Sequence, residues 1–208
     1  MPFIFQFIQN IKHESAREAL TRAQSCVRVS LPWSHMETCI VAHQRRQNVA
    51  EDEQGFHMGH NVVIVGLSGS GKSWALKRIA THALQQTHSR VLYLDLDDRF
   101  QGDIDNTRFH LLQPTHQQLL VTMAGLETWF RNHDDTSIRW VLVDGCTDNT
   151  ILHALQQLQQ RWGFVSIIAS RSLSPPPTLH DYRFEVYKED THIWMKPWPS
   201  VTPPFKIA

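Results

Sequence analysis

The sequence predicts an α/β fold, a doubly wound and mainly parallel sheet that closes with an antiparallel hairpin. From residue 61 onward, runs of β-branched and aliphatic residues alternate with amphipathic helical segments. The first of these runs leads into a glycine-rich motif and a helix, and two segments near the end alternate apolar and polar residues around a short turn. At 208 residues, the chain has the length of one α/β domain with a short extension.

The strands and helices can be assigned in chain order. The predicted parallel strands are 62–65, 91–96, a short one around 110–112, 139–144 and 164–169. The predicted helices run from about Ser73 to Gln86, from Pro114 onward and from Asn149 onward. The hairpin is predicted from 182–188 and 192–196, which flank Glu189, Asp190 and Thr191. A strand buried on both faces explains why the first run consists of β-branched residues throughout.

Two of these helices also show where they begin or end and which side is buried. Thr115 and Gln118 fit a capping box, and Gly163 fits a C′ glycine. The apolar stripe of the first helix consists of Leu119, Met123, Leu126 and Phe130. The second helix is predicted to direct its glutamines toward solvent and to direct toward the core Ile151, Leu155, Leu158 and Trp162. These stripes are typical of core packing.

Residues 1–60 are predicted to form a helical extension and linker, and residues 61–208 the nucleotide-binding core. Residues 13–25 are rich in helix formers, whereas 44–61 is polar and typical of a surface connection. The last segment, 197–208, is rich in proline with embedded aromatic residues. We therefore expect one domain with a short region before it.

Composition narrows the class of protein and its location. Lys and Arg number 20, as do Asp and Glu, so no net charge draws the chain to nucleic acid or to an anionic membrane. The three cysteines are scattered, which favours reduced thiols in the cytosol or nucleus. The apolar start lacks a basic region and is too short for a signal peptide or a membrane span. We expect an intracellular soluble protein.

One group of side chains has metal-ligand chemistry. It consists of Cys26, His35, Cys39 and His43, and the last three follow an i, i+4, i+8 spacing on one helical face. Such a series could bind zinc, but tight Cys-x-x-Cys pairs are absent. The alternative is that these side chains lie on solvated or half-buried faces.

The glycine-rich motif predicts a P-loop of the nucleoside triphosphatase class. It reads Gly-x-x-x-x-Gly-Lys-Ser and consists of Gly66, Leu67, Ser68, Gly69, Ser70, Gly71, Lys72 and Ser73. Its glycines allow several N–H groups and a helix N-terminus to converge on a phosphate. We expect Lys72 to reach the β- and γ-phosphates of ATP and Ser73 to ligate Mg²⁺. The alternative is a degenerate loop that is kept only as a turn.

Two carboxylates are candidates for the chemistry beside this loop. Asp144 closes a buried strand and is expected to hold the Mg²⁺ shell through Ser73 or water; the alternative is a cap of the turn at Gly145. Asp97, at the tip of the 91–96 strand, is the candidate for orienting an attacking water. The alternative for Asp97 is a solvated carboxylate.

From about residue 61 to its end, the sequence resembles the RecA-type recombinases and their eukaryotic paralogues. The resemblance is carried by the P-loop, by Val-Leu-Tyr-Leu-Asp95-Leu-Asp97-Asp-Arg-Phe100, by the strand that ends at Asp144 and by the hairpin. It implies a RecA-like fold with ATP and Mg²⁺ as cofactors. It also places Asp97, one methylene shorter, at the family's catalytic glutamate, and Arg171 where a glutamine senses the γ-phosphate.

Among these paralogues, the span from Arg108 to Gly145 and the segment from Ile193 to Pro199 look most like small ATP-binding members that pair with a SWIM-domain protein in the Shu complex. This resemblance implies a nuclear mediator of homologous recombination, with a SWIM-domain protein, other paralogues and the strand-exchange recombinase as partners. The two DNA-binding loops of recombinases correspond here only to 145–149 and 172–181. We therefore expect single-stranded DNA to bind weakly or through the complex, and no membrane partner.

A small-molecule kinase is the alternative, because the same glycine-rich motif occurs in adenylylsulfate kinases and gluconate-kinase-like enzymes. Such kinases need a mobile lid with several arginines. Between Leu112 and Arg139 the chain instead has an amphipathic helix with the single Arg131. The closing hairpin also has no place in a kinase of that type.

Overall fold

A computed structural model describes residues 27–115, 117–132, 138–146, 149–171, 182–198 and 203–208. The predicted helix at 13–25, Cys26 and the predicted loop at 172–181 lie outside these ranges.

In these ranges the chain forms an α/β structure around one sheet of eight strands. The strands are β1 (Asn61–Val65), β2 (Ser89–Asp95), β3 (Phe109–Leu112), β4 (Ile138–Asp144), β5 (Val165–Ser170), β6 (Tyr182–Glu189), β7 (His192–Pro197) and β8 (Phe205–Lys206). Their order across the sheet is β3-β2-β4-β5-β1-β6-β7-β8. Neighbours from β3 to β6 pair in parallel, whereas β7 pairs antiparallel with β6 and β8 antiparallel with β7. The predicted mainly parallel sheet with an antiparallel hairpin is confirmed.

The described helices are α1 (Ser34–Arg46), α2 (Lys72–Gln85), α3 (Leu119–Asn132) and α4 (Asn149–Trp162). A short 3-10 helix covers Glu51–Glu53. The predicted start of α3 at Pro114 is wrong, because the helix begins at Leu119. In the turn before it, the side chain of Gln118 accepts a hydrogen bond from the Thr115 N–H at 3.1 Å, which is the glutamine contact of the predicted capping box. After α4, Gly163 has a φ of 56° and its N–H bonds the carbonyl of Gln159 at 2.8 Å, as expected for a C′ glycine.

The sheet is covered on both faces, so its strand residues divide between two hydrophobic cores. Val62 and Ile64 of β1 belong to the core that contains the buried residues of α1 and α2. Val63 and Val65 belong to the core that contains α3 and α4. The predicted α3 stripe is buried in the second core through Leu119, Met123, Leu126 and Phe130. A β-branched run with alternate residues on opposite faces therefore fills both layers.

The inward face of α4 is also confirmed, with one correction. Ile151, Leu155 and Trp162 are buried and Leu158 is half-buried. The prediction that the glutamines point outward is wrong for Gln159, which is 6% exposed. Its amide donates to the carbonyl oxygen of Phe164 at 2.9 Å, so the polar group is satisfied inside the fold.

The segment before β1 packs against the α2 face of the sheet. Met36 and Ile40 of α1, with Phe56 and Met58 from the following segment, are each 1% exposed or less. The prediction of a surface connection over 44–61 is wrong for Phe56 and Met58, and also for Gln44, which is 4% exposed. The described part of residues 1–60 thus shares a hydrophobic core with β1, and a domain boundary at residue 60 stays a prediction.

The proline-rich last segment contains β8, a strand that the sequence pattern did not predict. Met195 of β7 pairs with Phe205, and both side chains are buried. Within the described ranges, no helix has both the length and the hydrophobicity that crossing a bilayer requires.

Candidate functional site

The glycine-rich motif forms the turn between β1 and α2. Gly69 and Gly71 have φ values of 78° and 97°, in the left-handed region that favours glycine. A Cβ atom on Gly71 would lie 2.6 Å from Cδ1 of Ile193 in β7. At Gly66 a Cβ atom would collide with the backbone carbonyl of Val186 in β6. The loop therefore follows its tight path only with glycine at these positions, and it rests on the antiparallel end of the sheet.

Lys72 lies across the loop at the N-terminus of α2. Its ammonium group donates to the carbonyl oxygens of Gly66 and Leu67, both at 2.7 Å, and it is only 6% exposed. Burial lowers the pKa of Lys72, and the nearby Arg99 and Arg171 guanidinium groups add to this effect, whereas Asp144 and Asp97 oppose it. A cation at this position can exchange its carbonyl partners for phosphate oxygens.

Asp144 lies beside the same loop at the end of β4. The carboxylate is 2% exposed and accepts a hydrogen bond from the Tyr93 hydroxyl, which is 3.1 Å from Oδ2. The Ser73 side chain is also close enough to donate to this carboxylate. Burial raises the pKa of Asp144, and these two hydrogen bonds partly oppose that rise. The structure thus brings the two predicted Mg²⁺ ligands, Ser73 and Asp144, into contact. A hydroxyl and a carboxylate are suitable oxygen ligands for Mg²⁺.

Asp97 lies in an ion pair rather than in free solvent. Its Oδ2 is 2.7 Å from Nη2 of Arg171 and 3.6 Å from Nε of Arg99. To reach Arg171, the side chain crosses over Gly145, where a Cβ atom would lie 2.5 Å from the same oxygen. Asp97 therefore links the end of β2 to the end of β5 across the end of β4.

Asp95 and Gln113 hold the turn that carries Asp97, and the sequence did not single out this role. Oδ2 of Asp95 accepts hydrogen bonds from the backbone N–H groups of Arg99 and Phe100, both at 2.8 Å, and from the Gln113 amide at 3.0 Å. Asp95 is 1% exposed. An acidic residue that ends a strand just before a short turn was the available sequence signal.

A groove of about 280 Å³ adjoins the outer side of the loop. It is lined by Gly66 to Ser70 and by Glu185 to Lys188 of β6. Gly66 leaves no room for a Cβ atom beside the Val186 carbonyl of β6, so loop and strand lie close together here. A ligand bound at the loop therefore has adjacent space along the antiparallel part of the sheet.

Trp74 connects the loop with the segment before β1. It follows Ser73 directly and is 40% exposed. Its ring centroid lies 6.3 Å from that of Trp33, the residue that precedes α1. The first turn of α2 is thus in contact with residues that the sequence assigned to an extension.

The histidines and cysteine of the possible zinc group have other surroundings. His35 stacks on Phe205 with ring centroids 5.5 Å apart, and His43 meets Tyr182 edge-on at 5.8 Å. Burial raises the pKa of the Cys39 thiol. Among the described residues, no three His, Cys, Asp or Glu side chains are grouped so that they could hold a metal ion.

The structure thus gathers Lys72, Ser73, Asp97, Asp144 and Arg171 around one loop. Parallel strands explain this gathering, because their carboxyl ends meet at one edge of the sheet. No family model matches the sequence, and no curated protein sequence is significantly similar to it.

Proposed function

We propose that this chain is a P-loop protein with a RecA-like core, which binds ATP and Mg²⁺ at the loop between β1 and α2. The observation that carries the proposal is the contact of Ser73 with Asp144 beside a loop spanned by Lys72. Lys72 would contact the phosphates, and Ser73 and Asp144 would hold the metal ion directly or through water. The metal would neutralise phosphate charge, whereas the loop N–H groups would orient the phosphates.

The sheet order supports the RecA-like assignment over other P-loop architectures. One strand, β5, separates β1 from β4, so Asp144 reaches the loop from two strands away. The next strand, β2, carries Asp97 to the same edge. On the other side of β1, the sheet continues through the parallel β6 into the antiparallel β7. The strand that ends at Asp144 and the terminal antiparallel hairpin are among the features on which the sequence resemblance rested.

We also propose that ATP turnover is slow. The Asp97 carboxylate is one methylene shorter than the glutamate of the resembling family, and Arg171, 2.7 Å from Asp97, stands where that family has a glutamine. A general base must lie within hydrogen-bond reach of the water it activates, so a shorter side chain is less suited to this role. The expected steady-state rate is well below about 1 s⁻¹, a low value for enzymes. A faster rate that Lys72→Ala abolishes would overturn this part of the proposal.

The wider proposed role is that of a nuclear mediator of homologous recombination. The chain would act with a SWIM-domain protein and other recombinase paralogues to help the strand-exchange recombinase assemble on single-stranded DNA. Support for this role is the sequence resemblance together with the balanced charge, 20 basic against 20 acidic residues, which favours DNA contact through a complex. Sub-micromolar binding of single-stranded DNA by the isolated chain in physiological salt would argue against it.

A small-molecule kinase remains the alternative, and the packing of α3 disfavours it. The segment in which a kinase would need its lid contains a helix whose apolar stripe is buried in the second core. A helix anchored in this way is not free to close over a substrate.

Nucleotide binding is tested by calorimetric titration of the purified chain with ATP in the presence of Mg²⁺. Lys72→Ala should weaken ATP binding at least about tenfold, because a charge-assisted contact to phosphate is lost. Arg78→Ala is the matched control, since Arg78 is an exposed cation on the same helix. Absence of ATP binding by the wild-type chain at millimolar concentration would refute the proposal.

The biological role is tested by affinity purification and identification of the proteins that co-elute. A SWIM-domain protein or another recombinase paralogue would support the mediator role. Co-elution of a metabolic enzyme, or of no specific protein, would count against it and favour the kinase.

A further inference from the structure

Gln113 joins two carboxylates that lie on either side of Asp97 in the sequence. Its side-chain amide donates to Oδ2 of Asp95 at 3.0 Å and to Oδ1 of Asp98 at 2.9 Å. The register of β2 and β3 explains this contact, because the residue after the end of β3 lies opposite the last residue of β2. An amide nitrogen carries two hydrogens, so Gln113 can serve both carboxylates at once.

The turn that follows β2 has a conformation and a charge that such a contact stabilises. Asp98 has a φ of 53°, in the left-handed region that residues other than glycine rarely adopt. Oδ2 of Asp95 accepts the backbone N–H groups of Arg99 and Phe100, which closes the turn. A donor placed between the Asp95 and Asp98 carboxylates also offsets the repulsion between their negative charges.

The position of the Asp97 carboxylate depends on this turn. Asp97 directly precedes Asp98, and its carboxylate crosses over Gly145, where a Cβ atom would lie 2.5 Å from Oδ2. The same oxygen lies 2.7 Å from Nη2 of Arg171. A group that orients water must lie within hydrogen-bond reach of it, and a displacement of about 1 Å can slow a reaction about a hundredfold. A change in the turn would therefore be felt at Asp97.

We propose that Gln113 is a positioning residue for Asp97. By joining Asp95 to Asp98, Gln113 holds the turn so that the Asp97 carboxylate stays beside the phosphate-binding loop and orients the water that attacks ATP. Gln113 acts through the turn and does not contact the nucleotide. This inference rests on the proposed nucleotide-binding function.

The reaction that Asp97 would assist is hydrolysis of the terminal phosphate. The water oxygen bonds to the γ-phosphorus, and the bond between that phosphorus and the oxygen kept by ADP breaks. Of the two water protons, one stays on the phosphate product and one passes to solvent. Asp97 orients the water by accepting a hydrogen bond from it.

The test combines single-turnover hydrolysis of ATP with Mg²⁺, with the full chain in excess, and calorimetric titration with a non-hydrolysable ATP analogue. Gln113→Met keeps the volume but loses both donors. The hydrolysis rate should fall about tenfold, whereas the dissociation constant of the analogue should stay within about twofold. Gln113→Glu should slow hydrolysis further, because it adds a third carboxylate. Gln113→Arg should restore most of the rate, since a guanidinium group can donate to both carboxylates.

A second readout needs neither nucleotide nor turnover. The Nε–H signal of Arg171 in ¹⁵N NMR of the nucleotide-free chain, assigned with Arg171→Lys, reports the pairing of Arg171 with Asp97. Gln113→Met should shift this signal in the same direction as Asp97→Asn. A contribution of Gln113 to stability alone would leave the signal in place. In the Asp97→Asn chain, Gln113→Met should slow hydrolysis no further, because Gln113 acts through Asp97.

The matched control is Gln117→Met, since Gln117 is an exposed glutamine in the same segment before α3. This variant should change neither the hydrolysis rate nor the Arg171 signal. Thermal unfolding of each variant checks that the fold is retained, and Gln113→Glu replaces Gln113→Met if the latter does not fold.

The outcomes separate the two proposals. If the wild-type chain binds the analogue but Gln113→Met leaves the rate and the Arg171 signal unchanged, the positioning inference is wrong and nucleotide binding stands. The same holds if Gln113→Met is equally harmful in the Asp97→Asn chain, if it weakens analogue binding as much as it slows hydrolysis, or if the wild-type chain shows no hydrolysis. If the wild-type chain does not bind the analogue, the proposed function fails, and this inference fails with it.

Discussion

Gln44 connects the segment before β1 with the rest of the fold, and its removal should strongly destabilise the protein. Its side-chain amide donates to the Gly55 carbonyl at 2.9 Å and to the Tyr182 hydroxyl at 2.7 Å. Its carbonyl oxygen accepts the Gly55 N–H at 2.7 Å. Gln44 is buried in α1, so these bonds join α1 to Gly55, which lies between α1 and β1, and to Tyr182 of β6.

The expected cost follows from what the substitution Gln44→Ala leaves behind. A buried hydrogen bond contributes about 1 kcal/mol, and a buried group that loses its partner costs about 1–3 kcal/mol. Both polar groups of the Gly55 backbone lose the Gln44 partner, and the Tyr182 hydroxyl loses one bond. We therefore expect the free energy of unfolding to fall by about 3–5 kcal/mol, a large part of the total of a typical domain. Gln44→Met should cost nearly as much, since it restores the volume but not the hydrogen bonds.

The assay is urea unfolding followed by circular dichroism, with the free energy extrapolated to water. Gln47→Ala is the matched control, because Gln47 is exposed just after α1 and its loss should change stability by less than about 0.5 kcal/mol. A loss below about 1 kcal/mol for Gln44→Ala would refute the reasoning. So would a separate early transition in the wild-type protein, because it would show that the first segment unfolds independently of the sheet.

Three further predictions concern pH, the loop and the core. Burial, with a smaller contribution from His57, lowers the pKa of His60 from 6.5 to about 4. The free energy of unfolding should therefore fall by up to about 3 kcal/mol as the pH drops from 6.5 to 4. Urea unfolding at several pH values checks this, and an equal loss in His60→Gln would contradict it. Gly71→Ala should abolish ATP binding in a calorimetric titration, because the added Cβ would collide with Ile193 of β7. Gly69→Ala should weaken ATP binding less, since no atom lies within 4 Å of its added Cβ. Equal effects of the two variants would argue against this geometry. Phe130→Ala should cost about 3–5 kcal/mol in urea unfolding, since the Phe130 ring is fully buried against two aromatic rings; a loss under 1 kcal/mol would show that this packing is loose.

Local patterns account for the elements that the sequence predicted correctly. The β-branched run before the glycine-rich loop and the α3 stripe, which includes Met123 and Leu126, need only residue spacing to be recognised. The edge of the sheet at which Asp97 and Asp144 meet also follows from parallel strand ends. For this reason the sequence could predict which of these residues lie at one edge of the sheet before the geometry was known.

Contacts between distant parts of the chain account for what the sequence did not predict. The ion pair between Asp97 and Arg171 depends on a crossing over Gly145, a path that neither residue's neighbours indicate. The sequence pattern predicts that Gln159 faces solvent, because its partner, the Phe164 carbonyl, is known only from the structure. The two residues of β8, Phe205 and Lys206, become a strand only through pairing with β7, because isolated segments of that length have no recognisable period.

The pair of Trp33 and Trp74 gives the protein a built-in optical reporter. Trp74 follows the hydroxyl side chain that we assign to Mg²⁺, and its partly exposed indole lies beside a second indole from the segment before β1. A change in the first turn of α2 would alter the polarity and ring spacing at this pair. Intrinsic emission should therefore respond to occupancy of the loop without any attached dye. Trp33→Phe and Trp74→Phe would separate the signal of the loop from that of the segment in contact with it.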